Sequence, residues 1–143
     1  MALGEGGNLL SQTGVTLNVG VGADNLTVEA LQAQGQSAPP IQSCIALVDT
    51  GASGLALDTS IVSTLSLKRQ GVVTNHTAGG TRQANTYLVS LTFPGSNLRS
   101  YPVVPATEVV LTSQPFKVLI GRQIMRNWHV HYNGQSGFVS IAD

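Results

Sequence analysis

The sequence predicts an all-β fold, a small closed β-barrel with one or two short helices, on three observations. Strand-like stretches, about nine of them, follow one another along most of the chain, separated by turns rich in Gly, Pro, Asn and Ser. Helical spacing is confined to two short segments, one after Asp58 and one after Gly121. No segment repeats, so a single sheet that closes on itself and leaves few free edges accommodates the pattern.

Residues 1–14 carry four glycines and little pattern, and read as a flexible lead-in. The folded unit is expected to run from 15 to 143 as one domain. Val15, Leu17, Val19 and Val21 alternate with Thr16, Asn18 and Gly20, the period-2 signature of a strand with one buried face. Residues 25–33, "NLTVEALQA", read as a second strand. The polar, proline-containing stretch 34–40 is a loop, and "IQSCIALV", residues 41–48, is an apolar run suited to a buried strand.

Residues 55–67 offer strand residues first, then Asp58 or Thr59 as an N-cap, then Ile61, Val62 and Leu65 at helical spacing. Residues 71–95 predict a long hairpin turning at Ala78-Gly79-Gly80, with Tyr87, Val89, Leu91 and Phe93 on one face of the returning strand. Short strands are expected at 101–105, 107–111 and 116–120, and a brief helix opened by Gly121. A terminal pair of strands, 129–132 and 138–141, surrounds the turn "NGQSG".

At 143 residues, with 42% hydrophobic and only 10% charged residues, the chain suits one packed core. Seven basic residues balance seven acidic ones, so the chain lacks the basic surplus that a phosphate backbone requires, and nucleic acid is not expected as a partner. No apolar run approaches the roughly 20 residues of a membrane span, and the first residues lack a basic region followed by an apolar core. A soluble, cytoplasmic protein is the expectation. The single cysteine, Cys44, is expected to be a small buried hydrophobe.

One carboxylate stands out. Asp49 follows the apolar run Ile45-Ala46-Leu47-Val48 and precedes Thr50-Gly51. Burying its charge would cost several kcal/mol without compensation, so its position calls for a chemical reason. "ALVDTGAS", residues 46–53, resembles the catalytic signature of aspartic proteases. "VLIGRQIMRNW", residues 118–128, is similar to the segment near the C-terminus of retroviral-type proteases, with Gly121 following Asp49 by 72 positions and the glycine hairpin between them. Ala52-Ser53 after the motif is nearer to the cellular and bacterial retropepsin-like domains.

The resemblance covers roughly residues 15–142. It implies a retropepsin-type barrel in which Asp49 is the catalytic carboxylate, Thr50 locks two loops together and Gly51 presents a carbonyl to substrate. It further implies a flap over residues 72–93 with its tip near Thr77 to Thr81. Ala52, Ser53, Ala78, Gly79, Gly80, Thr81 and Ile120 would then line the substrate, an extended polypeptide. Hydrolysis by this route uses two carboxylates sharing one proton. None of Glu5, Asp24, Glu29 and Asp58 is followed by Thr-Gly, so the second carboxylate is expected from a second copy, making the protein a homodimer with its site on the two-fold axis. No metal and no organic cofactor is expected.

Retroviral enzymes place an aspartate where this chain has Ser53, which leaves Arg122 without its expected partner. The rival function is a non-catalytic barrel of the same fold, used for dimerisation or peptide binding. Other chemistry fits less well. Ser53 is not in a G-x-S-x-G elbow, because Leu55 takes the last position. His129 and His131 share a strand face but have no further ligand cluster, and Trp128 reads as a packing residue.

Overall fold

Apolar alternation builds β1 (Thr16–Ala23), in which Val19 and Val21 are fully buried. The computed structural model describes residues 5–143, with side chains from Leu9 onward except that of Thr77. β1 has two partners. It runs antiparallel to β2 (Gln42–Val48), with Val19 opposite Cys44, and antiparallel to β5 (Gly80–Thr92), with Val21 opposite Leu91.

The remaining strands are β3 (Leu55–Asp58), β4 (Gly71–Thr77), β6 (Tyr101–Val109) and β7 (Val118–Ile120). Their order in the sheet is β1-β2-β7-β3-β6-β5-β4, and the β1–β5 pairing brings the order back to its first strand. A separate two-stranded sheet joins β8 (His129–Asn133) to β9 (Phe138–Ala142). The core gathers Val19, Val21, Leu57, Val89, Leu91 and Val118, all fully buried. Tyr87 and Phe93 join them, so the expected face of β5 is the buried one. Phe93 meets Trp128 edge-on at 5.5 Å between ring centroids, which makes Trp128, just before β8, a core residue.

Four expectations change. Asn25–Ala33 is not a strand but a helix, α2: the Asp24 carboxylate accepts from the Thr27 amide at 3.1 Å and from its hydroxyl at 2.6 Å, and the helix formers from Glu29 to Ala33 follow. Capping outweighs the β-branched pair Thr27-Val28. In the lead-in, Glu5–Thr13 form a helix, α1, which closes where Gly14 at φ +71° donates to the Leu10 carbonyl. Residues 1–4 lie outside the described residues.

Residues 101–109 form one strand instead of two. β3 reaches β6 only from Ala106 onward, so at Pro105 one side of β6 is without that partner and tolerates the missing N–H. Finally, β2 is buried on one face only. Ala46 is enclosed, Ser43 and Ile45 are exposed, and Cys44 is half-buried against the core, where desolvation pushes its thiol pKa up.

The helix α3 (Thr59–Thr64) begins at Asp58, the residue that comes nearest to repeating the Asp-Thr-Gly motif. Its role is structural. Only 2% exposed, Asp58 accepts the Leu111 amide at 2.6 Å on one oxygen and the Ser60 amide and hydroxyl on the other. Burial by itself would raise its pKa, but the Ser60 and Leu111 hydrogen bonds together with the Lys117 charge hold it below the ordinary aspartate value.

A group with a lowered folded pKa stabilises the fold above its unfolded pKa and loses that contribution as pH falls through the folded value. Asp58→Ala should therefore lower stability at pH 7 by about 2–3 kcal/mol, from the lost cap and the orphaned Leu111 amide. Asp58→Asn should flatten the acid limb of the stability profile below about pH 4. Urea unfolding across pH measures both; an acid limb as steep in the Asn variant as in the wild type would refute the assignment.

Candidate active site

β7 runs parallel to β2, with Val48 beside Ile120, and antiparallel to β3, with Ala56 beside Leu119. The chain joining β2 to β3 must therefore cross the end of the strand lying between them. That crossing is the loop Asp49–Gly54. Its first residue extends the ladder, since the Asp49 amide donates to the Ile120 carbonyl at 2.9 Å. Its turn is internal, with the Ala52 amide donating to the Asp49 carbonyl at 3.2 Å and the Gly51 amide to Asp49 Oδ1 at 2.9 Å. Asp49 is half-buried, while Thr50, Gly51 and Ser53 are exposed.

The next helix, α4 (Arg122–Met125), grips the same loop from beneath. Its first amides have no acceptor within the helix, and the loop supplies them: Arg122 donates to the Ala52 carbonyl at 3.0 Å and Gln123 to the Ser53 carbonyl at 2.9 Å. The approach leaves no room at Gly121. A Cβ there would stand 2.4 Å from the Gly54 carbonyl oxygen and 2.6 Å from that of Ala52, both backbone atoms. The Arg122 side chain, without the carboxylate that retroviral enzymes offer it, has a backbone partner instead: its Nη1 donates to the Thr50 carbonyl at 2.6 Å. A backbone oxygen of the loop occupies the role that the absent carboxylate at Ser53 left open.

The structure thus brings Asp49, Thr50, Gly51, Ala52 and Ser53 together with Ile120 and α4. Ile120 itself needs correction as a substrate-lining residue. Its side chain is fully buried in the core, and it serves the loop through its carbonyl. Ala78, Gly79, Gly80 and Thr81 are exposed at the turn of the β4–β5 hairpin, where Gly80 adopts φ +118°. The segment expected to form a flap divides in two. Gly71 to Thr86 pair within the hairpin, while Thr86 onward pairs with β6 and Tyr87 onward enters the core.

Tyr87 donates its hydroxyl to Glu108 at 2.8 Å, and burial followed by that carboxylate raises its pKa. His129 and His131 are exposed on β8. Among the described residues, no three His, Cys, Asp or Glu side chains are grouped as a metal site would need, and no helix is long and apolar enough to cross a membrane. Sequence reasoning missed the Arg122 contact with Thr50 and the part played by Gln123. The only signal for them was that Gly121 is followed at once by helix-forming residues.

A half-buried carboxylate, held by a backbone donor at the mouth of a strand and flanked by exposed loop atoms, can take up or release a proton in contact with a bound molecule. A family model described as aspartyl protease matches residues 41–124, more than half of the chain, from the residue before β2 into α4. No curated protein matches the chain. Among solved structures, the chain is similar to a retropepsin-like aspartic protease from Rickettsia conorii at 13% identity, over 88% of this chain and 78% of that one, with a TM-score of 0.49.

Because the atoms facing Gly121 are backbone and cannot rotate away, Gly121→Ala should push the Asp49–Gly54 loop off α4 and cost about 2–3 kcal/mol of stability. Thermal unfolding of the purified variant checks this. A midpoint equal to that of the wild type would mean that the loop and helix are less tightly opposed than described.

Proposed function

The chain belongs to the aspartyl protease family, and from that footing we propose that it is a retropepsin-like endopeptidase acting as a homodimer, with one Asp49 from each copy. The observation that carries this reading is that each chain has a single Asp-Thr-Gly, held in an ordered loop by Ile120 and α4. One carboxylate cannot act as base and acid at once. Two of them, facing each other across a two-fold axis, share one proton and divide the roles. The return of the strand order to β1 supports a closed barrel as the frame, and the exposed Val130 and Tyr132, on one face of the β8–β9 hairpin, offer apolar surface for a second copy.

In the reaction, the ionised carboxylate takes a proton from a water whose oxygen bonds to the scissile carbonyl carbon. The protonated partner gives its proton to the carbonyl oxygen, producing a neutral gem-diol. Collapse of that intermediate breaks the C–N bond, with one hydroxyl proton returning to a carboxylate and a carboxylate-held proton passing to the leaving nitrogen. The products are a carboxylic acid and an amine, and no metal or organic cofactor takes part. An extended polypeptide would lie between the loop, with Ala52 and Ser53, and the β4–β5 hairpin, which serves as the flap with Ala78 to Thr81 at its tip. Thr50 would bridge the two loops at the axis.

Asp49→Asn should abolish cleavage of a mixed peptide library while leaving circular dichroism and the unfolding midpoint near those of the wild type. Cleavage by that variant at the wild-type rate would refute the mechanism. Because a single subunit holds half of the site, activity per subunit should fall on dilution through the dimer dissociation constant. A species shown by sedimentation to be monomeric that keeps its full specific activity would remove the dimer from the account.

A further inference from the structure

We propose that Arg122 is a positioning residue for the reaction, acting on Asp49 through the single peptide unit between Thr50 and Gly51. This rests on the protease reading above and adds a residue to it. The carbonyl that accepts Arg122 Nη1 at 2.6 Å belongs to Thr50, and the amide that donates to Asp49 Oδ1 at 2.9 Å belongs to Gly51. Those two groups are the opposite ends of one planar peptide. A cation bound to the oxygen end fixes the plane and polarises it, so the N–H end becomes a better and better-aimed donor to the carboxylate.

The other bonds between this loop and its neighbours cannot do this. Asp49 to Ile120, Arg122 to Ala52 and Gln123 to Ser53 are backbone bonds, and they survive a change of side chain. They anchor the two ends of the loop. The Thr50–Gly51 peptide, at its exposed middle, is held from outside by the guanidinium, which α4 delivers from its first residue. A planar fork on a short helix, itself tied to the loop, gives a more fixed direction than a flexible ammonium would.

The test uses the full chain, with Arg122→Gln and Arg122→Lys compared with the wild type at protein concentrations well above the dimer dissociation constant. Arg122→Gln should lower kcat by about 10- to 100-fold with KM changed by less than about threefold, since the lost contact aims a reacting group and does not bind substrate. Arg122→Lys should recover part of the loss. Asp58→Ala, destabilised at a site that takes no part in the chemistry, should keep kcat when folded.

Independently of activity, the Gly51 amide resonance should move in Arg122→Gln in the same direction as in Asp49→Asn. A Gly51 amide indifferent to Arg122→Gln would overturn the proposal. So would a loss of activity that higher protein concentration restores, or one confined to KM. If the amide responds while the wild type cleaves no peptide at all, the Arg122–Asp49 connection stands and the protease reading falls.

Discussion

The close approach of two backbones at Gly121 is the constraint on which the site depends. β7 lies between β2 and β3, so the loop leaving β2 has to pass over the end of β7 before β3 can begin. The passage is tight enough that the Ala52 and Gly54 carbonyls occupy space a side chain at 121 would need. This contact brings the α4 amides to Ala52 and Ser53, directly after the point where the β2–β7 ladder ties the Asp49 amide to the Ile120 carbonyl. A larger residue would separate loop and helix, and both of the α4 bonds span that gap.

Rigidity is distributed accordingly. The loop sits at the end of strands whose inward residues, Leu55, Leu57, Val118 and Ile120, are essentially without solvent contact, so the carboxylate is mounted on the core. The β4–β5 hairpin differs in kind. From Gly71 to Thr86 its strands pair with one another and most of their residues are exposed, so few apolar contacts oppose its displacement. Tyr87 marks the change, with its ring in the core and its hydroxyl on Glu108. On the proposed reading, a firm floor and a lightly held hairpin suit the capture and release of an extended chain.

Two aspartates with almost the same local sequence have opposite fates. Asp49 precedes Thr-Gly, and the Gly51 amide reaches its carboxylate with no side-chain donor beside it. Asp58 precedes Thr-Ser, and Ser60 supplies an amide and a hydroxyl that make the carboxylate a helix cap sealed from solvent. One exchange at the third position, glycine for serine, accompanies the difference between a half-exposed carboxylate and one committed to structure. Of the two, only Asp49 retains access to a ligand.

By itself the sequence determined the features whose cause is local. The alternation of Val19 and Val21, the Asp58 cap, the glycine turn of the hairpin and the loop entered at Asp49 all follow from side-chain period, capping or backbone freedom within a few residues. Asn25–Ala33 is a helix and not a strand because the Asp24 cap outweighs the strand preference of β-branched Thr27 and Val28, a competition that is itself local. Tertiary structure decided the rest. Whether Pro105 interrupts β6 depends on where β3 begins, and whether Ile120 faces a ligand or the core depends on strands more than 60 residues away. The partner of Arg122 was legible from neither composition nor spacing. A guanidinium pairs with whatever acceptor the fold brings within reach, and here that acceptor is a backbone carbonyl, which every residue possesses and no sequence pattern marks.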